Sequence, residues 1–239
     1  MTNNIMTDLG WRNLSLKAGT AFSPSAPIDV ETLFAGRMKQ MQKTIDVCNQ
    51  KGQHAIIFGE RGVGKTSLSN ILANKFYTLG DKATFGLLSP KVTCNAEDNY
   101  TSIWKRIFSQ IEIAQKIQAP GFNEEPTNLK LGYAGQFGEN ISIDEVRQAL
   151  MILSQNNVLI LIIDEFDRVY DTKTKTAIAD TIKTLSDNSV NTTVIIVGVA
   201  DTIDELIEEH SSVERALLQI KMPQPRRLTI LINQSIFIL

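Results

Sequence analysis

The stretch of this chain best equipped for chemistry is a glycine-rich octapeptide, Gly59-Glu60-Arg61-Gly62-Val63-Gly64-Lys65-Thr66. It satisfies the spacing GxxxxGK[ST], the Walker A pattern. Glycines at these positions let successive backbone N–H groups turn inward and make a nest for an anion, and a helix starting directly afterwards adds partial positive charge at the same point. In that setting Lys65 reaches the β- and γ-phosphates of a nucleotide, and the Thr66 hydroxyl ligates Mg²⁺. The backbone from Gly59 through Ser67 is the expected cradle. The flanks agree: HAIIFG (54–59) reads as a short buried strand, and Lys65 to Tyr77 reads as a helix with Leu68, Ile71, Leu72 and Phe76 on one face. A glycine-rich turn without a ligand is the bland alternative, and it does not account for spacing and context together.

The second chemical stretch is LIIDEFD (161–167), a Walker B pattern. Asp164 falls at the carboxyl end of an apolar strand, the place where ligands gather in open α/β sheets, and there it can hold the water shell of Mg²⁺. Glu165 follows directly. A carboxylate beside the metal-holding aspartate can orient and deprotonate a water for in-line attack on the γ-phosphate. A kinase must exclude water from that position, and the Asn/Thr-Lys-x-Asp stretch by which GTPases read their base is missing, so hydrolysis of ATP is the expected reaction. The plain alternative makes Asp164-Glu165 a cap for the next helix.

These groups need a sheet to hold them. Residues 30–49 read as a helix, 83–93 as containing a second strand, and Tyr100 to Ile117 as an amphipathic helix. The Gly-, Pro- and Asn-rich segment 119–140 reads as a long loop or insertion. A helix starts at Ser142 with Asp144 and Glu145 in its first turn. VLILIID (158–164) is a continuous apolar run, as for a central strand buried on both faces. A helix over 173–186, a strand over 192–200 and a strand over 217–222 complete the pattern. Strands alternating with helices imply an α/β fold, here a three-layer sandwich around a parallel five-stranded sheet.

Composition sets limits. In 239 residues, 43% hydrophobic and 21% charged with a formal net charge of −2, one α/β domain with at most a small appendage is expected. That charge balance argues against a tail built for bulk binding to nucleic acid or anionic membrane, while leaving room for a local basic patch. Cys48 and Cys94 lack a partner at metal spacing and are expected to be reduced thiols. The first residues show no cationic start followed by an apolar core, and no apolar run reaches the roughly 18 residues of a membrane span. A cytoplasmic protein is expected, with no membrane partner.

With these residues in view, the chain resembles an AAA+ P-loop ATPase of the ASCE type, and is most similar to the prokaryotic proteins related to the Orc1/Cdc6 initiators and to AAA-type signalling modules. The resemblance covers residues 30 to about 223. It rests on LFAGRMKQMQKTI (33–45), the phosphate loop, DEFDR (164–168), and the pair VGVADTIDEL (197–206) and SSVERALLQIKMP (211–223). The family places LFAGR-type segments near the adenine. Asp201 matches a sensor position that is often Asn there; an aspartate adds negative charge near the γ-phosphate, and a helix N-cap is its other reading. Arg215 matches an arginine finger, which completes a neighbouring subunit's site and so implies a homo-oligomer or another AAA+ neighbour; a surface arginine is the bland alternative.

Residues 1–30, polar and turn-rich, read as an N-terminal arm; the resemblance implies a nucleotide-binding domain (31–222) and leaves an apolar tail (223–239) too short for the family's helical lid. Truncation or a frameshift is the expectation for that tail, with weakened ATP affinity and assembly as its consequence. The implied function is an ATP-hydrolysing machine that switches or remodels a protein or DNA partner in replication, transposition or phage defence. A weakly catalytic nucleotide-dependent signalling module and a DNA-binding initiator are the alternatives.

Overall fold

The computed structural model describes residues 37–82, 86–117, 127–199 and 213–224, with side chains described throughout these except at 77–82, 113–117 and 127–131. The N-terminal arm, most of the apolar tail and the segment containing Asp201 lie outside the described residues.

Five strand positions form one parallel sheet. Its strands are β1 (His54–Phe58), β2 (Gly86–Leu88), β3 (Lys91–Thr93), β6 (Asn157–Asp164), β7 (Thr192–Gly198) and β8 (Leu217–Lys221). The order is β2-β6-β7-β1-β8, with β3 also pairing with β6. The expected second strand is thus two short pieces on the same neighbour, Gly86 opposite Asn157 and Thr93 opposite Asp164. Pro90 between them has no N–H to give the ladder, so the strand breaks there.

The period of two in each strand sorts the side chains to two faces. Ile56, Leu159, Leu161, Ile163, Val194 and Ile196 join one apolar cluster. Helices α3 (Tyr100–Ser109), α4 (Ile143–Leu153) and α5 (Thr172–Asp187) close that face. Ala55, Ile57, Ile160, Ile162, Ile195 and Val197 join the other, covered by α1 (Met38–Cys48) and α2 (Lys65–Lys82). This is the expected three-layer sandwich. Asn99 with Ser102 and Ser142 with Glu145 each form a capping box that starts α3 and α4, and Asp171 caps α5.

Two expectations need correction. The helix read over 100–117 stops at Ser109, and EIAQKI forms a strand, β4 (Glu112–Ile117). It pairs antiparallel with β5 (Thr127–Gly132), Glu112 opposite Gly132 and Ile117 opposite Thr127, as a hairpin separate from the main sheet. The segment 119–140 is therefore not simply a loop. Ile113, Ala114 and Ile117 fall at helical spacing, and the pairing with TNLKLG decided the outcome. The hairpin leads back onto α3: the Tyr133 N–H donates to the Ile111 carbonyl at 2.8 Å, and the rings of Tyr133 and Phe137 lie 5.5 and 4.7 Å from that of Phe108.

Cys94 is buried and Cys48 half-buried, both free, and burial pushes each thiol up to about 12. Among the described residues no helix is long and apolar enough to cross a membrane.

His54 opens β1 fully buried. Its Nδ1 accepts the Val194 N–H at 3.0 Å, and its Nε2 has no hydrogen-bond partner. Burial lowers its pKa to about 4. An unfolded chain with the ordinary value near 6.5 binds a proton that the folded chain refuses, so stability is greatest above pH 6.5 and falls as the pH drops toward 4. Thermal melts should show a loss of about 2 kcal/mol between pH 7.5 and pH 5, and His54→Gln should remove that part of the pH dependence. An equal slope in the variant would assign the loss to other groups.

Candidate nucleotide site

The carboxyl ends of β1, β6 and β7 gather at one edge of the sheet, and the chain leaves β1 there through Gly59–Thr66 into α2. Gly62 and Gly64 have φ of 79° and 90°, left-handed values that L side chains avoid and that turn the loop's N–H groups inward. Gly59 is required for a different reason: a Cβ on it would stand 2.6 Å from the Met222 carbonyl oxygen. β8 exits directly against the start of the loop, and the Met222 N–H bonds to the Phe58 carbonyl.

Inside the loop, Val63 turns its side chain into the core, so it has only its backbone to offer a ligand. Its carbonyl accepts a hydrogen bond at 3.1 Å from Arg37, a buried guanidinium at the start of α1. Burial lowers the pKa of Arg37. Sequence reasoning placed LFAGR near the site only by resemblance; the structure gives its arginine a concrete task, bracing the crown of the loop.

Lys65 folds back over the octapeptide and donates to the carbonyls of Gly59 at 2.9 Å and Glu60 at 2.8 Å. Desolvation lowers its pKa, opposed by the charges of Asp167 and Asp164. Thr66 follows, half-buried, and Ser67 is buried. Glu60 and Arg61 are exposed at the rim, where the Glu60 carboxylate accepts a hydrogen bond from Gln224.

Opposite the loop stands the end of β6. Asp164 is fully buried. Its Oδ1 accepts the Glu165 N–H at 2.9 Å, and its Oδ2 lies 2.8 Å from the Ser69 hydroxyl and 3.0 Å from the Lys91 ammonium. Neither Ser69 nor Lys91 was singled out from the sequence. Ser69 could have been, because it sits one turn beyond Thr66 on α2; Lys91 had no local signal.

Glu165 adopts a left-handed backbone, φ 53° and ψ 39°. Such a conformation in a non-glycine residue is strained, and strain of this kind concentrates at functional positions. Its side chain makes no capping hydrogen bond, and the N-cap of α5 is Asp171, which argues against the plain capping role. The carboxylate instead meets Arg168 at 3.0 Å, both groups partly exposed. A cleft of about 430 Å³ lies between loop and strand end, bordered by Lys65, Thr66, Asp164, Glu165, Arg168 and Gly198 among others.

The structure thus brings together the loop, Asp164 and Glu165. It does not bring Arg215 to them. Leu217 pairs with His54 at the start of β1, so the exposed Arg215 sits at the opposite edge of the sheet from the loop.

The residues fit a nucleoside triphosphate: a glycine-turned amide nest carrying one lysine, facing the carboxylates of Asp164, Glu165 and Asp167 across an open cleft. A model of the AAA domain matches residues 48–207. No curated protein matches in sequence. The fold is shared with several solved structures. The ORC1 protein of Aeropyrum pernix, in complex with DNA, is 13% identical with a TM-score of 0.59 over 87% of this chain and 50% of its own. A Walker-type ATPase of Pyrococcus abyssi is 15% identical with a TM-score of 0.62 over 88% and 60%. The ORC2 protein of A. pernix, in ADPNP–ADP complexes, is 15% identical with a TM-score of 0.56 over 92% and 55%. The chain spans about half to three fifths of the length of these proteins. The match takes in the phosphate loop, the Asp164-Glu165 strand end and every strand of the parallel sheet except β8, and the chain belongs to the AAA domain family of P-loop ATPases.

Proposed function

We propose that this chain binds ATP with Mg²⁺, hydrolyses it, and uses the change of nucleotide state to switch or remodel a partner. The observation that carries this reading is the amide nest at Gly59–Thr66 facing Asp164 and Glu165 across one cleft. A bound triphosphate takes over the Lys65 donors now given to the Gly59 and Glu60 carbonyls, and the loop amides through Ser67 complete the cradle. Thr66 and Asp164 are the residues that would hold Mg²⁺, which when bound neutralises phosphate charge. Glu165 is the base that orients and deprotonates the attacking water. Asp201 belongs to the γ-phosphate side of this reading.

Arg215 is assigned to a neighbouring subunit's site, and its place at the sheet edge far from its own phosphate loop supports action in trans. Residues 31–222 form the nucleotide-binding unit in this reading, and the partner chain is a second copy or another AAA+ protein. The fold shared with DNA-bound ORC1 makes DNA the first further partner to test, by salt-dependent binding. Replication, transposition and phage defence remain the proposed settings. A second reading, a signalling module with slow turnover, draws support from the Glu165–Arg168 pair, which occupies the base. Steady-state turnover of the purified chain separates the two.

Lys65→Ala should abolish ATP binding in calorimetry, because the loop then lacks the charge that neutralises the β- and γ-phosphates; unchanged affinity would remove the loop from the site. Glu165→Gln should bind ATP normally and lose about 10²-fold or more in hydrolysis, since it keeps shape and hydrogen bonding without the base. Wild-type turnover in that variant would return Glu165 to a structural role.

If Arg215 acts in trans, turnover per subunit rises with protein concentration, and Arg215→Ala flattens that rise while ATP binding is kept. Fingers of this kind give effects of about 10³–10⁵ in other phosphoryl-transfer systems. A rate independent of concentration and equal in both proteins would place Arg215 outside the chemistry.

A further inference from the structure

We propose that Lys91 is a counter-ion built into the fold for Asp164, a positioning residue that holds this carboxylate in register with α2 and shares its charge with the metal. The proposal rests on the reading of Asp164 as a metal carboxylate, and its first test does not. Lys91 opens β3, and its ammonium reaches along the sheet to three groups on two other elements. It donates to the Ser69 hydroxyl at 2.7 Å and to the Asn70 side-chain carbonyl, both on α2, and pairs with Asp164 Oδ2 at 3.0 Å at the end of β6. An ammonium has three hydrogens, so this set exhausts its donors.

The Ser69 hydroxyl accepts from Lys91, and its own hydrogen lies within reach of Asp164 Oδ2 and of the Thr66 carbonyl at 2.9 Å. One cation therefore ties the turn that presents Thr66 to the strand end that presents Asp164. The Asp164 side chain is 1% exposed and that of Lys91 17%. A carboxylate so deeply buried carries a large desolvation penalty unless a cation stays beside it, and Lys91 supplies one independently of any bound metal. A metal cation at Asp164 then meets a carboxylate whose charge is already partly neutralised. The fold's own cation and the metal draw on the charge of one carboxylate, and Lys91 weakens the metal's hold while keeping its ligand in place.

Thermal unfolding in EDTA without nucleotide tests the pairing through wild type, Lys91→Met, Asp164→Asn and the double variant. Methionine keeps the aliphatic stem and removes the charge. Lys91→Met should lower Tm by about 10 °C, the size expected when one member of a buried pair is left alone. The double variant should recover at least half of the summed losses of the two single variants. Additive losses, or a Lys91→Met Tm equal to wild type, would overturn the proposal. If Lys91→Met does not fold, a folded double variant supports the pairing and an unfolded one overturns it.

Positioning through charge is read separately by the Mg²⁺ concentration that half-saturates binding of a fluorescent ATP analogue. In Lys91→Met it should fall about tenfold, because the full charge of Asp164 becomes available to the metal. An unchanged or raised midpoint would overturn the charge-sharing role. A wild-type chain that binds no nucleotide at any Mg²⁺ concentration would sink the ATPase reading and leave the unfolding cycle to decide on Lys91.

Discussion

The buried carboxylate of Asp164 is the constraint to which the rest of this site is fitted. A fully buried charge must be met by donors, and the fold supplies them from three directions: the Glu165 N–H in its own turn, the Ser69 hydroxyl on α2, and the Lys91 ammonium from β3. Its backbone is used as well, since the Asp164 carbonyl accepts the Cys94 N–H at 2.8 Å and so fixes where the chain leaves β3. Moving any of these elements would strip the buried charge of one of its partners, a cost of about 3–5 kcal/mol where that partner is the cation, against a total stability of about 5–15 kcal/mol for a domain. The distance between phosphate loop and strand end is set by that requirement.

Around this point the sheet acts as a rigid frame. Alternating Ile, Val and Leu residues on β1, β6 and β7 bury both faces, so the strand ends cannot shift independently. The loop is braced from outside by Arg37 on the Val63 carbonyl and by the Met222 carbonyl against Gly59. The second contact links the exit of β8 to the first residue of the nucleotide cradle. A displacement of the chain after Met222 would be felt at Gly59, because no side-chain cushion lies between the two backbones.

Charge within the cleft is arranged in pairs. Lys65 is drawn toward Asp164 and Asp167 while burial opposes its charge. Glu165 meets Arg168, and hydrogen bonding to Glu165 raises the pKa of that arginine. The base on which hydrolysis would depend is thus held by a cation three residues away, in a backbone conformation that stores strain. In the proposed reaction, turnover would then depend on how readily the Glu165 carboxylate leaves Arg168 for a water.

Local residue order was enough for the phosphate loop, for the strand ending in Asp164-Glu165 and for the three-layer α/β architecture. Each of these is written in contiguous spacing: glycines that permit left-handed turns, an acidic pair at a strand end, and apolar periods of two and 3.6. What sequence could not supply depended on partners distant in the chain. EIAQKI became a strand because TNLKLG lies opposite it, a pairing that period alone could not foresee. The break at Pro90 left two strand pieces on one neighbour, visible only once β6 was in place. Lys91 carried no motif, and its pairing with Asp164 exists because β3 lies beside β6 in register with α2 overhead. Arg215 shows both sides of this division: its resemblance to a finger was legible from SVERAL, while its position across the sheet from its own phosphate loop was decided by the parallel register of β8 with β1. Spacing along the chain determines which residues can do chemistry, and tertiary packing decides which charges stand beside them, because a buried carboxylate draws its counter-ion from whichever strand the sheet places next to it.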